Sequence, residues 1–263
     1  MENDYIDVRR RDHALWLTLN RPDALNALTP GMVATISTAV SAAQSDEATR
    51  SIVLAGSGRA FCSGADLTTL PASKPGAGDS QADAFLAEAN QMMALIQTSA
   101  KPVIAAVNGL ALAGGFELVL CADIVFAARS ARFGDAHANF GLLPGGGGTA
   151  RLPRAIGRSW AKYMMFTAEL FDAEALATQG LVNEVVDDGA LEQAVVQLTE
   201  RIASKSPLGL ARMKALIDAG MEVSLDEALA AERRANVEHA SSADLREGLL
   251  AFAEKRRPKF TGR

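Results

Sequence analysis

Apolar and polar positions along the chain change period several times, and each change predicts an element. Residues 13–20, His-Ala-Leu-Trp-Leu-Thr-Leu-Asn, alternate roughly every second position and predict a strand. The stretch Arg21-Pro22-Asp23-Ala24-Leu25-Asn26 breaks it into a turn. Thr29-Pro30 has the chemistry of an N-cap with proline at the first helical position, so a helix is predicted from there to about Gln44. Residues 51–56 and 102–108 read as buried strands, and 82–98 as a helix. Shorter strands are predicted over 123–128, 131–133 and 181–186. After Asp188 the spacing becomes wholly helical, over 189–204, 207–219, 225–240 and 242–256, with Ser206-Pro207 and Ser224 as starts. An alternating β/α body, residues 1–200, therefore precedes an all-helical region, residues 201–263. Two loops stand out. Pro71–Ser80 is rich in Pro, Gly and Ser and is expected to be mobile. Pro144–Thr149 is expected to be a flexible glycine run entering the helix that carries Arg151.

Composition narrows the function. With 263 residues, 49% of them hydrophobic, the chain suits one large domain with a sizeable core. A net charge of -5 argues against general nucleic-acid binding, which leaves a basic footprint. The start, Met1-Glu2-Asn3-Asp4, has no secretory pattern, and no run approaches the ~20 apolar residues of a membrane helix. Only Cys62 and Cys121 occur, so no disulfide framework is expected and a reducing, cytoplasmic setting is the default. Together with His13, His137 and His239 they form no metal-ligand spacing, so no metal is expected.

The chemistry concentrates in two segments, Ala60–Leu67 and Asn108–Glu117. Each follows an apolar run, reads as opening a helix, and can aim a backbone N–H at a common point. Two such donors make an oxyanion hole, which stabilises charge developing on a carbonyl oxygen. Glu117 follows Gly114 by three residues, among Phe116, Leu118, Val119 and Leu120. A carboxylate in an apolar run is costly to bury. It is either a general acid or base with a raised pKa, or an ordinary solvated or salt-bridged residue. Enolate chemistry on an activated carbonyl compound fits these features.

These residues resemble the crotonase superfamily, the enoyl-CoA hydratase/isomerase family. The resemblance covers essentially the whole chain: Leu19–Leu28, Ala60–Leu67, Asn108–Glu117, Gly141–Leu152 and Phe252–Phe260, in that order and spacing. It implies an α/β fold, a crotonase-type spiral of ββα units with a helical C-terminal region that mediates trimerisation. It implies a homotrimer or a dimer of trimers. It implies an acyl-CoA thioester as substrate, with no cofactor beyond the coenzyme A that the substrate carries. The thioester oxygen would lie between the amides of Ala65 and Gly114, and Glu117 would match the first catalytic glutamate of the two-glutamate hydratases.

One departure is informative. The segment Phe133–Gly141 aligns without gaps to the family's second-glutamate segment, yet places His137 where that glutamate stands. An imidazole suits proton transfer near neutrality, but its neutral form changes the pocket charge by one unit. Asp135, two residues earlier, would share a face with His137 on a strand and orient the ring; on a loop it would not. By resemblance Ala24, Leu25, Ala60, Asp66 and Leu67 line the adenine and pantetheine path. Phe252 and Lys255 match C-terminal positions that reach the CoA, often from a neighbouring subunit. Asp23 departs from a lysine that some relatives carry.

Three functions remain open at this point. One is an enoyl-CoA hydratase, with Glu117 activating water and His137 supplying the α-proton. Another is an enoyl-CoA isomerase, or a hydrolase cleaving a C–C bond of a β-dicarbonyl substrate. The third is a non-catalytic acyl-CoA-binding or assembly protein.

Overall fold

The computed structural model describes residues 5–68 and 81–263. The loop expected over 71–80 lies outside the described residues. Among those described, ten strands form two sheets. The larger has the order β1 (Ile6–Arg11), β2 (Ala14–Leu19), β3 (Ser51–Gly56), β5 (Val103–Val107), β7 (Ile124–Ala128), β10 (Glu184–Val186). The smaller has the order β4 (Ala60–Cys62), β6 (Leu110–Leu112), β8 (Arg132–Gly134), β9 (Phe171–Asp172). Pairing is parallel except for β1 with β2 and β8 with β9.

The chain builds these sheets by repetition. A strand of the large sheet, a short turn, a strand of the small sheet and then a helix recur: β3, β4 and α2 (Gln81–Gln97), then β5, β6 and α3 (Gly114–Val119). A third pair, β7 and β8, continues the spiral. This is the expected ββα spiral. The continuous apolar runs have a simple cause: β3 buries Ser51–Leu54 and β5 buries all five residues, because both faces of the large sheet are covered. One face packs Leu17, Leu54 and Val107 with Ile36 of α1 (Pro30–Ser45) and with Met92 and Ile96 of α2. The other packs Trp16, Val53, Ile104 and Phe126 against Leu191 and Val195 of α7 (Leu191–Ala203).

The first helix begins as expected, with Thr29 Oγ1 accepting from the Met32 amide and Pro30 inside the first turn. The helical region is α8 (Pro207–Gly220), α9 (Leu225–His239) and α10 (Ala243–Ala253). Ser224 and Glu227 form a reciprocal capping box. Buried Asp244 accepts from Ser206 Oγ at 2.5 Å and from the Thr261 amide at 2.8 Å, tying the chain end to the start of α8. No residue of α9 is buried within the chain.

The sequence reading missed β1 and the short strands β4, β6 and β9. Strands of two or three residues carry no readable period, and β1 has only Ile6 and Val8 as apolar markers. The helix expected to carry Arg151 is α4 (Gly148–Ile156), but α5 (Arg158–Thr167) and α6 (Ala173–Thr178) were missed, the pattern being interrupted at Gly157. One expectation needs correcting: the first donor segment does not open a helix. Ala60–Cys62 is strand β4, and Ala65 bridges Leu28 before a turn at Leu67–Thr68.

Candidate active site

Ala65 reaches the site as an isolated parallel bridge. The Leu28 amide donates to the Gly64 carbonyl at 2.8 Å, and the Asp66 amide donates to the Leu28 carbonyl at 2.9 Å. This pairing uses the groups on either side of Ala65 and leaves its own N–H out. Gly64 makes the turn with φ +104°, a backbone state that suits glycine.

The second donor arrives from β6. Ala113 has φ 46° and ψ −122°, an unfavourable state for a residue with a Cβ, costing on the order of 1–3 kcal/mol. Its N–H is anchored on the Gly134 carbonyl at 3.0 Å. The bend turns the chain into α3, whose first residue, Gly114, has no intrahelical acceptor for its N–H. The two segments meet. A Cβ on Gly114 would lie 3.6 Å from the Ala65 nitrogen, and one on Gly64 would lie 3.2 Å from the Gly114 nitrogen.

Glu117 follows one helical turn later and is 3% exposed. Its Oε1 accepts the Gly146 N–H at 2.9 Å and the Gly148 N–H at 2.8 Å. Burial pushes its carboxyl above the ordinary range. The two glycine N–H groups and nearby His137 oppose that rise, while Asp135 adds to it. Glu117 therefore holds a proton more readily than a surface glutamate, which suits an acid or base near neutrality.

His137 and Asp135 complete the cluster. β8 ends at Gly134, Ala136 takes a left-handed turn (φ 59°), and His137 begins a short 3-10 turn, His137–Phe140. The two residues are thus not on a common strand, and the strand argument for their contact fails. The turn joins them instead, with the His137 N–H on the Asp135 carbonyl at 2.8 Å and Nδ1 lying 3.2 Å from Asp135 Oδ1. That side-chain contact is a charge contact, because Nδ1 is buried without a well-aligned hydrogen-bond acceptor. Burial alone would lower the imidazole pKa and is the largest single influence. Asp135 beside the ring and the Glu117 charge outweigh it, so the net displacement is upward from 6.5. A buried carboxylate thus lies close in the chain to the place where the Gly64–Ala65 and Gly114 backbones meet, and an imidazole lies within reach of its charge.

Residues 10–263 match the family model described as enoyl-CoA hydratase/isomerase. The chain belongs to this family. It is 37% identical to the crotonyl-CoA hydratase of Syntrophomonas wolfei, over 99% of both chains. It is also 37% identical to the 1,2-epoxyphenylacetyl-CoA isomerase of Escherichia coli, over 94% of both. The crystal structure of an enoyl-CoA hydratase from Bacillus anthracis superposes with a TM-score of 0.93 at 34% identity, covering 99% of this chain and 100% of that one.

The other candidate residues of this enoyl-CoA hydratase/isomerase family member fall into two groups. Ala24 closes a 3-10 turn, Pro22–Ala24, and Leu25 follows in a left-handed conformation. Asn26 locks that turn to the first donor segment, giving Nδ2 to the Ser57 and Ala60 carbonyls at 2.9 and 2.8 Å. Ala60 is buried in β4, and the Leu67 side chain is open. The Asp66 carboxylate is buried and engaged internally, with Arg21 Nη1 at 2.5 Å and Thr68 Oγ1 at 2.6 Å. The Thr68 hydroxyl, then Arg21, hold its pKa below the usual range against the opposing effect of burial. Phe252 and Lys255 form the second group, at the end of α10, with exposed side chains. Neighbouring Arg256 pairs with Glu247 and Glu254.

Sequence reasoning missed the partners of Glu117. The glycine run is anchored at several points. Asn90 Nδ2 donates to the Gly145 carbonyl at 2.7 Å, and Arg151 Nη1 to the Gly146 carbonyl at 2.5 Å. Arg151 also binds Gln97 Oε1 at 2.9 Å. A Cβ on Gly146 would stand 2.6 Å from Glu117 Oε2. The usable signal was the pairing of a buried acid, which needs donors, with glycines at a helix start, which have N–H groups to give. Among the described residues no cluster of His, Cys, Asp or Glu is arranged to hold a metal, and no helix is long and apolar enough to cross a membrane.

Proposed function

We propose that this chain is an enoyl-CoA hydratase, adding water across the double bond of a 2-enoyl-CoA. The thioester oxygen accepts from the Ala65 and Gly114 N–H groups. One oxygen of Glu117 is occupied by two glycine amides, which leaves Oε2 to take a proton from water. The water oxygen bonds to the β-carbon and the π electrons move toward the thioester oxygen. The enolate-like intermediate is stabilised by the two amides. His137 then gives a proton to the α-carbon. Glu117 ends protonated and His137 deprotonated, and proton exchange between them or with solvent resets the site.

The observation that carries this reading is the buried Glu117, with its raised carboxyl pKa, one turn beyond Gly114. The experiment is a mass-resolved screen against enoyl-CoAs of graded length and branching. The parent should give a product heavier by one water, and Glu117→Gln should abolish turnover while CoA-ester binding persists. Normal turnover by Glu117→Gln sinks the reading.

His137 in place of a carboxylate favours one alternative, double-bond isomerisation or β-dicarbonyl C–C hydrolysis with the imidazole as base. The same screen separates them, because isomerisation conserves mass and cleavage yields a carboxylate. A non-catalytic acyl-CoA-binding role sits poorly with a retained, buried Glu117.

The CoA moiety is assigned to Ala24, Leu25, Ala60, Asp66 and Leu67, largely through backbone, and to Phe252 and Lys255. We further propose that residues 201–263 form a trimer interface around the residues 1–200 core, as a homotrimer or dimer of trimers, in the cytoplasm. Support comes from α9, none of whose residues is fully buried within the chain, and from Leu225, Val237 and Phe252, which are 73, 76 and 85% exposed. Light scattering during size exclusion tests it.

A further inference from the structure

The Asp135 carboxylate has no counterpart in the catalytic scheme above, yet it is 2% exposed and lies at the site. Burying a carboxylate is costly unless it is compensated. Beside it stands the imidazole of His137, whose Nδ1 lies 3.2 Å from Asp135 Oδ1. Its other oxygen faces the glycine run, where a Cβ on Gly148 would lie 3.4 Å from Oδ2. The turn through Ala136 holds both residues by a backbone hydrogen bond, so the pair is built by the chain and not by chance packing. Nδ1 is sealed from solvent, while 11% of the His137 side chain stays open. What remains accessible of the side chain therefore lies away from Nδ1.

We propose that Asp135 is a positioning residue, whose carboxylate retains a proton on Nδ1 of His137 and leaves Nε2 as the ring atom that exchanges a proton with the substrate. This rests on the hydratase reading for its chemical context. In the forward step the Nε2–H bond breaks, its electron pair stays on the imidazole, and the proton forms the new C–H bond at the α-carbon. The proton on Nδ1 does not move. Asp135 acts through His137 and touches no reacting atom. Glu117, on α3, is the other titratable group facing the ring, and its charge favours the protonated imidazole in the same sense.

Two measurements test this, and the first needs no turnover. With histidine labelled by nitrogen-15, the chain shows three rings, His13, His137 and His239. His137→Gln assigns the signal of interest. Above its titration midpoint, His137 should be neutral with the proton on Nδ1, the form less common for a free imidazole. A proton on Nε2 instead overturns the proposal, whatever the enzyme's substrate proves to be. The second measurement compares Asp135→Asn and Asp135→Glu with the parent on crotonyl-CoA. For Asp135→Asn, kcat should fall by roughly one to two orders of magnitude, no more than the ~10²–10⁴-fold that the positioned acid or base itself supplies. KM should change little, and the basic limb of the pH profile should move to lower pH. Asp135→Glu should recover part of both. Parental kcat and an unmoved basic limb in Asp135→Asn overturn the proposal. If the parent fails to hydrate any enoyl-CoA, the hydratase reading fails while the tautomer result still decides the role of Asp135.

Discussion

Gly148 donates its backbone N–H to Oε1 of Glu117 at 2.8 Å, and a Cβ at Gly148 would lie 3.1 Å from that same oxygen. The glycine run and the acid are thus a matched pair. The glycines supply donors, and their lack of side chains lets the carboxylate come close. At Gly146 the fit is tighter: an added Cβ would meet Glu117 Oε2 at 2.6 Å and Met93 Sδ at 2.8 Å. Gly146→Ala is therefore expected to push Glu117 off its position. Overpacking of this kind costs about 1–3 kcal/mol. Turnover should fall at least tenfold while the protein stays folded, as seen by paired melting and kinetic measurements. A variant with parental kcat would show that Glu117 does not depend on this seat.

Glu117→Gln separates catalysis from stability. Turnover should drop by ~10²–10⁴-fold, the usual contribution of a positioned acid or base. Stability should respond in the opposite direction at neutral pH. Because the folded pKa lies above the ordinary 4.5, the native state binds more protons than the unfolded state between those two values. The contribution of Glu117 to stability therefore falls as pH rises through that window. Removing the charge should leave Glu117→Gln at least as stable as the parent at pH 8, relative to their difference at pH 4. Thermal melts at the two values check this.

For His137 the pH dependence has the same sign. Its folded pKa is raised above 6.5, so it contributes stability that is fully present below 6.5 and is lost as pH rises through the folded value. His137→Gln should lose stability relative to the parent at pH 6, and the two should converge at higher pH. The parent's kcat/KM should decline on the basic side with an apparent midpoint above 6.5, since in the proposed scheme His137 must be charged to supply the α-proton. A basic limb centred below 6.5 would assign that proton to another group.

The donor segments and Glu117 were legible because each leaves a local mark: glycines at fixed offsets after a β-branched run, and an acid in an apolar stretch; the ββα repeat came from the family resemblance, since its short strands β4 and β6 carry no readable period. The seat of Glu117 was not, because Gly146 and Gly148 lie about thirty residues away and their role is set by tertiary approach. Asp135 was read for a contact that exists, but through strand geometry that does not; a left-handed Ala136 makes it instead, and nothing in an alanine announces that conformation. Asp66 was read as part of the CoA path, and its pairing with Arg21, 45 positions earlier, is likewise a product of the fold.

That pairing gives the last expectation. Asp66 sits directly after the Ala65 donor, and its own N–H holds the Leu28 bridge that shapes the segment. Its carboxylate is tied to Thr68 and Arg21, and its pKa is lowered, so its stabilising contribution is present above 3.8 and is lost as pH falls through the folded value. Asp66→Ala leaves the Arg21 guanidinium without this partner and loosens the turn beneath Ala65. Arg21 is partly exposed, so the cost should be modest, about 1–3 kcal/mol. Of the two proposed oxyanion donors, only the Ala65 side should be disturbed. The expected signature is a lower kcat together with weaker binding of a CoA ester that mimics the enolate, while binding of free CoA changes less. Isothermal titration with both ligands reads this out. Equal losses for the two ligands would place Asp66 in the CoA path alone and dissociate it from the oxyanion hole.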